Sequence, residues 1–280
     1  MKITLPDNSF RDLPDGSSGY DLAKDIGPGL AKSAVAITVN GEQKDLHDKI
    51  EGDASVSIIT IDSDDGLDIM RHTLTAQVLA RAIKNLYPKS QLAIGPTIED
   101  GFYYDVETDK TISIDDLQKI EDEMKNIVKT NSSITKKLVS KSDALKVFKS
   151  LKEPYKEEII SESDQKDDFQ LYYQDKEEFV DLCRGPHLPN LSFIGSFKLT
   201  KVSGAYWKGD SKNTMLTRIY GTAWKNDKDL EKYLNTIEEA VKRDHRKLGK
   251  EMDLFHFQDE APGMVFWHPY GWNIYKTLQS

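Results

Sequence analysis

The stretch FVDLCRGPHLPN, Phe179 to Asn190, carries the sole cysteine of the chain, Cys183, with His187 four positions on. A Gly185-Pro186 break between them favours a turn, which would bring a thiol and an imidazole over one small ligand or metal ion. The same spacing describes a small buried thiol beside a packed histidine, and the motif alone leaves both readings open. The other histidines are His47, His72, His245, His256 and His268. His72 stands at the head of an apolar-periodic run, so the pattern places it at the start of a long helix, from which a side chain can project toward a cleft. Lys156, Asp181 and Tyr104 supply a cation, a carboxylate and a phenol of the kinds a hydrolytic site uses. Each is equally an ordinary solvated lysine, strand-end carboxylate or core aromatic.

The elements that must hold these residues fall into three regions. In the first sixty residues, MKITL and SFRDL alternate about a PDN turn, and SGYDLAKDIG has helical spacing. AVAITVN and SVSIITI are β-branched runs, with Asn40-Gly41 as a hairpin signal. DSDDGL, Asp62 to Leu67, reads as a linker. From Arg71 the period turns helical, with Leu74, Val78, Ala82, Ile83 and Leu86 on one face before Pro88. A second helix is expected over 115–129, capped by Ser113. Strand-like segments follow in AIGPTIEDGFYYDV, SSITKKLV, FVDLC, FIGSFKLTKVSGAYW and MLTRIYGTAW. After Trp224, DKDLEKYLNTIEEAVKRDHRKLGKEM reads as one long amphipathic helix with a buried stripe of Leu230, Leu234, Ile237, Ala240 and Val241.

Composition narrows the classes. No apolar run approaches the roughly 18 residues of a membrane span, MKITLPDNSF lacks the features of a secretory signal, and one cysteine forms no internal disulfide. A cytoplasmic setting is the expectation. The net charge of −9 argues against non-specific attraction to polyphosphate, although VKRDHRKLGK is locally basic and SESDQKDD acidic. No glycine-rich phosphate loop, GxSxG elbow or paired-cysteine zinc motif occurs. SGAYWKGDSKNTMLTRIYGTAW mixes aromatic, glycine and basic residues in a way that suits either gripping a nucleic-acid end or the bends of a small sheet.

Together these residues resemble the N-terminal part of threonyl-tRNA synthetase. DIGPGLAKSAVAITVNGEQKDL is similar to the TGS module. LAIGPTIEDGFYYDV, FVDLCRGPHLPN, GAYWKGDSKNTMLTRIYGTAW and RDHRKLGKEMDLF resemble that family's editing domain and connecting helix, and EAPGMVFWHPYGWNIYKTL resembles the entry to a class II catalytic domain. The resemblance implies an α+β chain in four parts: a β-grasp TGS module over 1–61, an editing domain over 62–225, a connecting helix over 226–250 and the truncated start of the catalytic domain over 251–280. It implies removal of serine wrongly attached to threonine tRNA, with His72, Cys183, His187, Lys156 and Asp181 in the catalytic roles. Gln77, Tyr104, Arg184, Gly95 and Pro96 would line the substrate. The partners it implies are threonine tRNA and its seryl form. No cofactor or metal is expected in this chain, ATP, magnesium and zinc belonging to the full-length ligase. That ligase would be a homodimer through its catalytic domain, which leaves this shorter chain free to be a monomer.

The chain departs from the family pattern in two places. Where the family reads RHSxAH, this sequence reads RHTLTAQV, so Gln77 takes the slot of a second histidine, five rather than four residues after His72. Glutamine cannot take a proton near neutral pH, so a base role falls on His72, on His187 or on the terminal hydroxyl of the tRNA. The inserted residue is expected to turn His72 by about 100° unless it precedes the first helical turn. The sequence also stops before the family's ATP and zinc motifs, so no charging of tRNA is expected. Three functions fit: an editing hydrolase, a tRNA-binding module that has lost hydrolysis, and a zinc-dependent hydrolase of the alanyl editing type.

Overall fold

The computed structural model describes residues 1–175 and 177–280, which divide into two compact units, Met1–Asp227 and Lys228–Ser280. In the first unit, β1 (Lys2–Thr4) and β2 (Phe10–Asp12) form the expected hairpin. It leads to α1 (Gly19–Ile26) and a short α2 (Pro28–Ser33). Ser18 and Asp21 close a reciprocal capping box that satisfies the first free amides of α1. β3 (Ala34–Val39) and β4 (Glu42–Asp45) turn at Asn40-Gly41, both with positive φ, as the hairpin signal requires. β5 (Ala54–Thr60) completes a sheet of order β2-β1-β5-β3-β4 in which β1 and β5 are parallel, a β-grasp arrangement. Ala34, Ile37 and Val39 face the module's own core, whereas Val35 and Ala36 join the larger core of the next domain. Burial on both faces accounts for the unbroken apolar run of β3.

Residues 62–67 are not a linker. Ser63 caps α3 (Asp64–Thr73) by accepting from the Gly66 amide at 3.0 Å, and Asp64 and Asp65 sit in the first turn, where carboxylates meet the positive end of the helix dipole. His72 therefore lies at the end of α3, not at a helix start. Beyond it the chain winds as a π-helix from Leu74 to Leu79, the Ala80 amide bonding to the Thr75 carbonyl five residues back, before α4 (Ala80–Leu86) resumes normal pitch. A wide turn of this kind takes up one surplus residue without rotating the segments on either side. The expected swing of about 100° is thereby absorbed.

The second domain continues with β6 (Gln91–Leu92), β7 (Thr97–Ile98) and β8 (Gly101–Glu107). α5 (Leu117–Lys129) follows, entered through a capping box between Ser113 and Asp116. Then come β9 (Ile134–Val139), α6 (Lys141–Leu151), α7 (Pro154–Glu162), β10 (Phe169–Gln174), β11 (Phe179–Leu182), β12 (Ser196–Tyr206) and β13 (Met215–Trp224). One antiparallel sheet runs β12-β13-β8-β6 with β7 on β8; the other runs β11-β10-β9. The π-turn touches both, at β8 and β11, and Leu74, Val78, Leu79, Ala82 and Ile83 pack with Phe102, Tyr104, Ile120 and Met124 in one core.

In the second unit the expected single long helix is two, α8 (Asp227–Lys242) and α9 (His245–Glu251). Asp244 leaves helical geometry and accepts from the Arg246 amide at 2.8 Å, a side-chain cap that competes with helix continuation. The expected buried stripe is not buried: Ile237 and Val241 are exposed. β14 (Phe255–His256) pairs with β15 (Phe266–Trp267), and α10 (Pro269–Gln279) follows with Tyr270, Trp272 and Leu278 exposed.

The π-turn leans on Gln174 of β10, whose Nε2 donates to the Gln77 carbonyl at 2.5 Å and whose Oε1 accepts from Arg81 at 2.9 Å. Gln174→Ala takes this donor from the buried Gln77 carbonyl and leaves Arg81 only its ion pair with Glu178. A loss of about 1–3 kcal/mol is expected in urea unfolding, and an unchanged midpoint would mean that the turn does not need this support.

Candidate active site

The residues singled out in sequence come from three remote segments. His72 ends α3, Lys156 sits in the first turns of α7, and Asp181, Cys183 and His187 follow one another from β11 into the GPH turn. The structure brings all five together. His72 Nε2 lies 2.8 Å from Cys183 Sγ, and the His72 and His187 rings stack at 4.6 Å with only 14° between their planes. Burial pushes the His72 imidazole below its ordinary value of 6.5, with the charges of Asp181 and Asp45 opposing more weakly. Near neutral pH His72 is therefore an uncharged base.

The tautomer of His187 follows from its neighbours. Thr73 Oγ1 donates to the Ile69 carbonyl at 2.8 Å and accepts from the Leu188 amide at 3.0 Å. Its one proton is thus committed, and the contact of 3.1 Å to His187 Nδ1 assigns the proton to Nδ1. Nε2 of His187 is buried and without a partner among the described residues. Thr73 was not among the sequence candidates, since a threonine at a helix end carries no signal of a contact 114 residues away.

Lys156 and Asp181 form a buried ion pair, Nζ to Oδ1 at 2.6 Å. The second carboxylate oxygen accepts from Tyr104 at 3.1 Å, and the Leu182 amide donates to Oδ1 at 2.8 Å. A buried pair of this kind is weak support for stability, because desolvation offsets most of the attraction. Its presence beside a cavity points instead to a charge kept for use. Tyr104 itself belongs to the core, and burial first, then the Asp181 charge, holds its phenol well above the usual range.

Ahead of these groups opens a cavity of about 830 Å³, within the range of small-molecule sites. His72, Lys156, Asp181, Cys183 and Arg184 line one part, and Ala76, Ile94, Gly95 and Pro96 another. A Cβ on Gly95 would fall 2.2 Å from the Tyr104 ring, so that wall can run close to the core only as glycine. Gln77 does not line the cavity. It is wholly buried and its side chain meets Gln174, while Ala76, four residues after His72, takes the cavity-facing place.

One ligand atom each from His72, Cys183 and His187 lies within 4.8 Å of the others, a donor set that could attract a metal. At a tetrahedral zinc, bonds of about 2.3 Å to sulfur and 2.0 Å to nitrogen hold the two atoms roughly 3.5 Å apart. The 2.8 Å between Nε2 and Sγ is a direct thiol–imidazole contact, and the arrangement does not fit that bite.

Removing one member of the ion pair should be costly. Lys156→Met leaves Asp181 buried and charged, and a loss of about 3–5 kcal/mol is expected in urea denaturation. Adding Asp181→Asn to that variant should recover more than half of the loss. Equal effects for the single and double variants would show that the two groups are not coupled.

Comparison with known proteins agrees with this architecture. Residues 1–60 match the TGS domain, and residues 170–220 match the family described as "Threonyl and Alanyl tRNA synthetase second additional domain". A curated relative, threonine--tRNA ligase of Prochlorococcus marinus (strain MIT 9211), is 51% identical over 278 residues, 99% of this chain. The chain spans 43% of that relative's length. With both domains in place and that identity along nearly its whole length, the chain is a homologue of the TGS and editing region of threonine--tRNA ligase.

Proposed function

We propose that the cavity at His72 and Cys183 hydrolyses serine from mischarged threonine tRNA. The observation that carries this reading is the convergence of a neutral imidazole, a thiol and a buried ammonium from three distant segments on one cavity, with a second, buried imidazole stacked on the first. In the proposed step a water oxygen attacks the ester carbonyl carbon. The water's proton passes to the imidazole of His72, and the Lys156 ammonium faces the negative charge that gathers on the carbonyl oxygen. The tetrahedral intermediate collapses by breaking the bond to the ribose oxygen, which takes the proton from His72. Serine and tRNA with a free terminal hydroxyl leave.

A separate hydrolytic sieve has a physical reason. One methyl group gives only about 1–3 kcal/mol of discrimination in a single binding step. A cavity with the backbone-tight wall at Gly95 and Pro96 can instead reject threonine by size. Gln77, turned away from the cavity, is no obstacle to this chemistry, and its place in sequence is no support for loss of hydrolysis. The alanyl-type zinc reading is disfavoured by the short Nε2–Sγ contact. Attachment of threonine with ATP, magnesium and zinc, and any dimer, are proposals for the longer ligase rather than for this span. Among the described residues no helix is long and apolar enough to cross a membrane.

The purified chain should release serine from seryl-tRNA(Thr) and leave threonyl-tRNA(Thr) intact, and His72→Ala should lower the serine rate by about 100-fold or more. Binding of both charged tRNAs without hydrolysis of either would replace this reading with that of a binding module. Hydrolysis abolished by a chelator and restored by zinc would favour the metal-dependent alternative.

A further inference from the structure

We propose that Asp45, a residue of the β-grasp sheet, is a positioning residue for the imidazole pair of the second domain, so that the N-terminal module is a working part of the hydrolytic site. The proposal deepens the editing reading and rests on it for its function. Asp45 ends β4, an edge strand of the first sheet, and its carboxylate is nearly buried at 14% exposure. Oδ1 accepts from the His187 backbone amide at 2.8 Å. Oδ2 accepts from the Tyr172 hydroxyl at 2.8 Å and pairs with Lys136 Nζ at 2.8 Å. Lys136 is held in turn by Asp48 at 2.5 Å.

Each partner bears on the site. The preceding residue, Pro186, has no amide proton, so the His187 amide is the backbone donor available where the turn meets the imidazole. Tyr172 packs edge-on against His187 with ring centroids 4.3 Å apart, and His187 stacks on His72. One carboxylate thus fixes the backbone beneath His187 and the ring beside it. Both constraints pass through the imidazole stack to the Nε2–Sγ contact. Burying a carboxylate and a lysine at a junction between domains is costly unless the donors are well placed, and here two of the three donors to Asp45, the His187 amide and the Tyr172 hydroxyl, belong to groups packed on the imidazole pair. Apolar contact alone, already provided by Val35, Ala36 and Ile59, would serve to dock the modules.

The test compares Asp45→Ala, Asp45→Asn and the parent 280-residue chain. It reads single-turnover deacylation of seryl-tRNA(Thr), the tRNA concentration giving half-maximal rate, and the imidazole NMR resonances of each histidine. In Asp45→Ala the rate should fall about 10- to 100-fold, the effect of a small misplacement in a catalytic arrangement, with the half-maximal concentration within about twofold. Asp45→Asn keeps an oxygen for the His187 amide and should recover part of the rate. The resonances of His72 and His187 should move together while those of His245 and His256 stay fixed. If Asp45→Ala does not fold, the isosteric Asp45→Asn carries the same readouts. Unmoved His72 and His187 resonances in a folded variant overturn the proposal whatever the rate. A parent chain that hydrolyses nothing while those resonances move in the variants overturns the editing reading and leaves Asp45 as the anchor of the imidazole pair.

Discussion

The short contact between His72 and Cys183 depends on a helix that is deliberately out of pitch. His72 must face the cavity while Leu74, Val78, Ala82 and Ile83 face the core, and a surplus residue between the two sets would set them at odds in a regular α-helix. The π-turn from Leu74 to Leu79 resolves the conflict by holding one more residue per turn. It is supported by Gln174 at the Gln77 carbonyl and by contact with β8 and β11. Everything chemical in the cavity follows from that registration. A His72 turned away would leave Cys183, His187 and the Lys156–Asp181 pair without a base at their centre.

The electrostatics of the site divide between a dry half and a charged half. Burial holds the His72 imidazole below its ordinary value, and the Nδ1 side of His187 is fixed against Thr73. Lys156 sits against Asp181, which Tyr104 and the Leu182 amide already hold in place. Charge is fixed before a substrate arrives, so stabilising a developing oxyanion demands little rearrangement. Asp45 extends this preorganisation across the boundary between modules.

Much of the fold was legible because it rests on local rules. Alternation gave most of the strands between Lys2 and Trp224, though not β10, Asn-Gly marked the β3–β4 hairpin, and Ser113 announced α5. The same rules misread residues 62–67, where acidic residues that look like a loop are the favourable first turn of a helix, and residues 227–251, where Asp244 breaks a continuous amphipathic pattern. α6 was passed over, and so was α7, which has little separation of polar and apolar faces. In the site, the side-chain types of His72, Lys156, Asp181 and Cys183 were recognisable. The placement of Gln77 was not, since a π-turn has no periodic signature. Thr73, Tyr172 and Asp45 act through contacts 114 to 142 residues away, and no spacing rule reaches that far.

The central claim is that the π-turn lets His72 meet Cys183 at the cavity as a neutral base. NMR titration of the His72 imidazole in the intact chain tests it most directly. The account predicts a midpoint below 6.5, because burial disfavours the imidazolium, and therefore an uncharged ring throughout the neutral range. It also predicts a loss of fold stability as pH falls from 6.5 through that midpoint, since the unfolded chain binds the proton more readily. A midpoint at or above 6.5, with stability flat across that window, would place His72 in water and contradict the account.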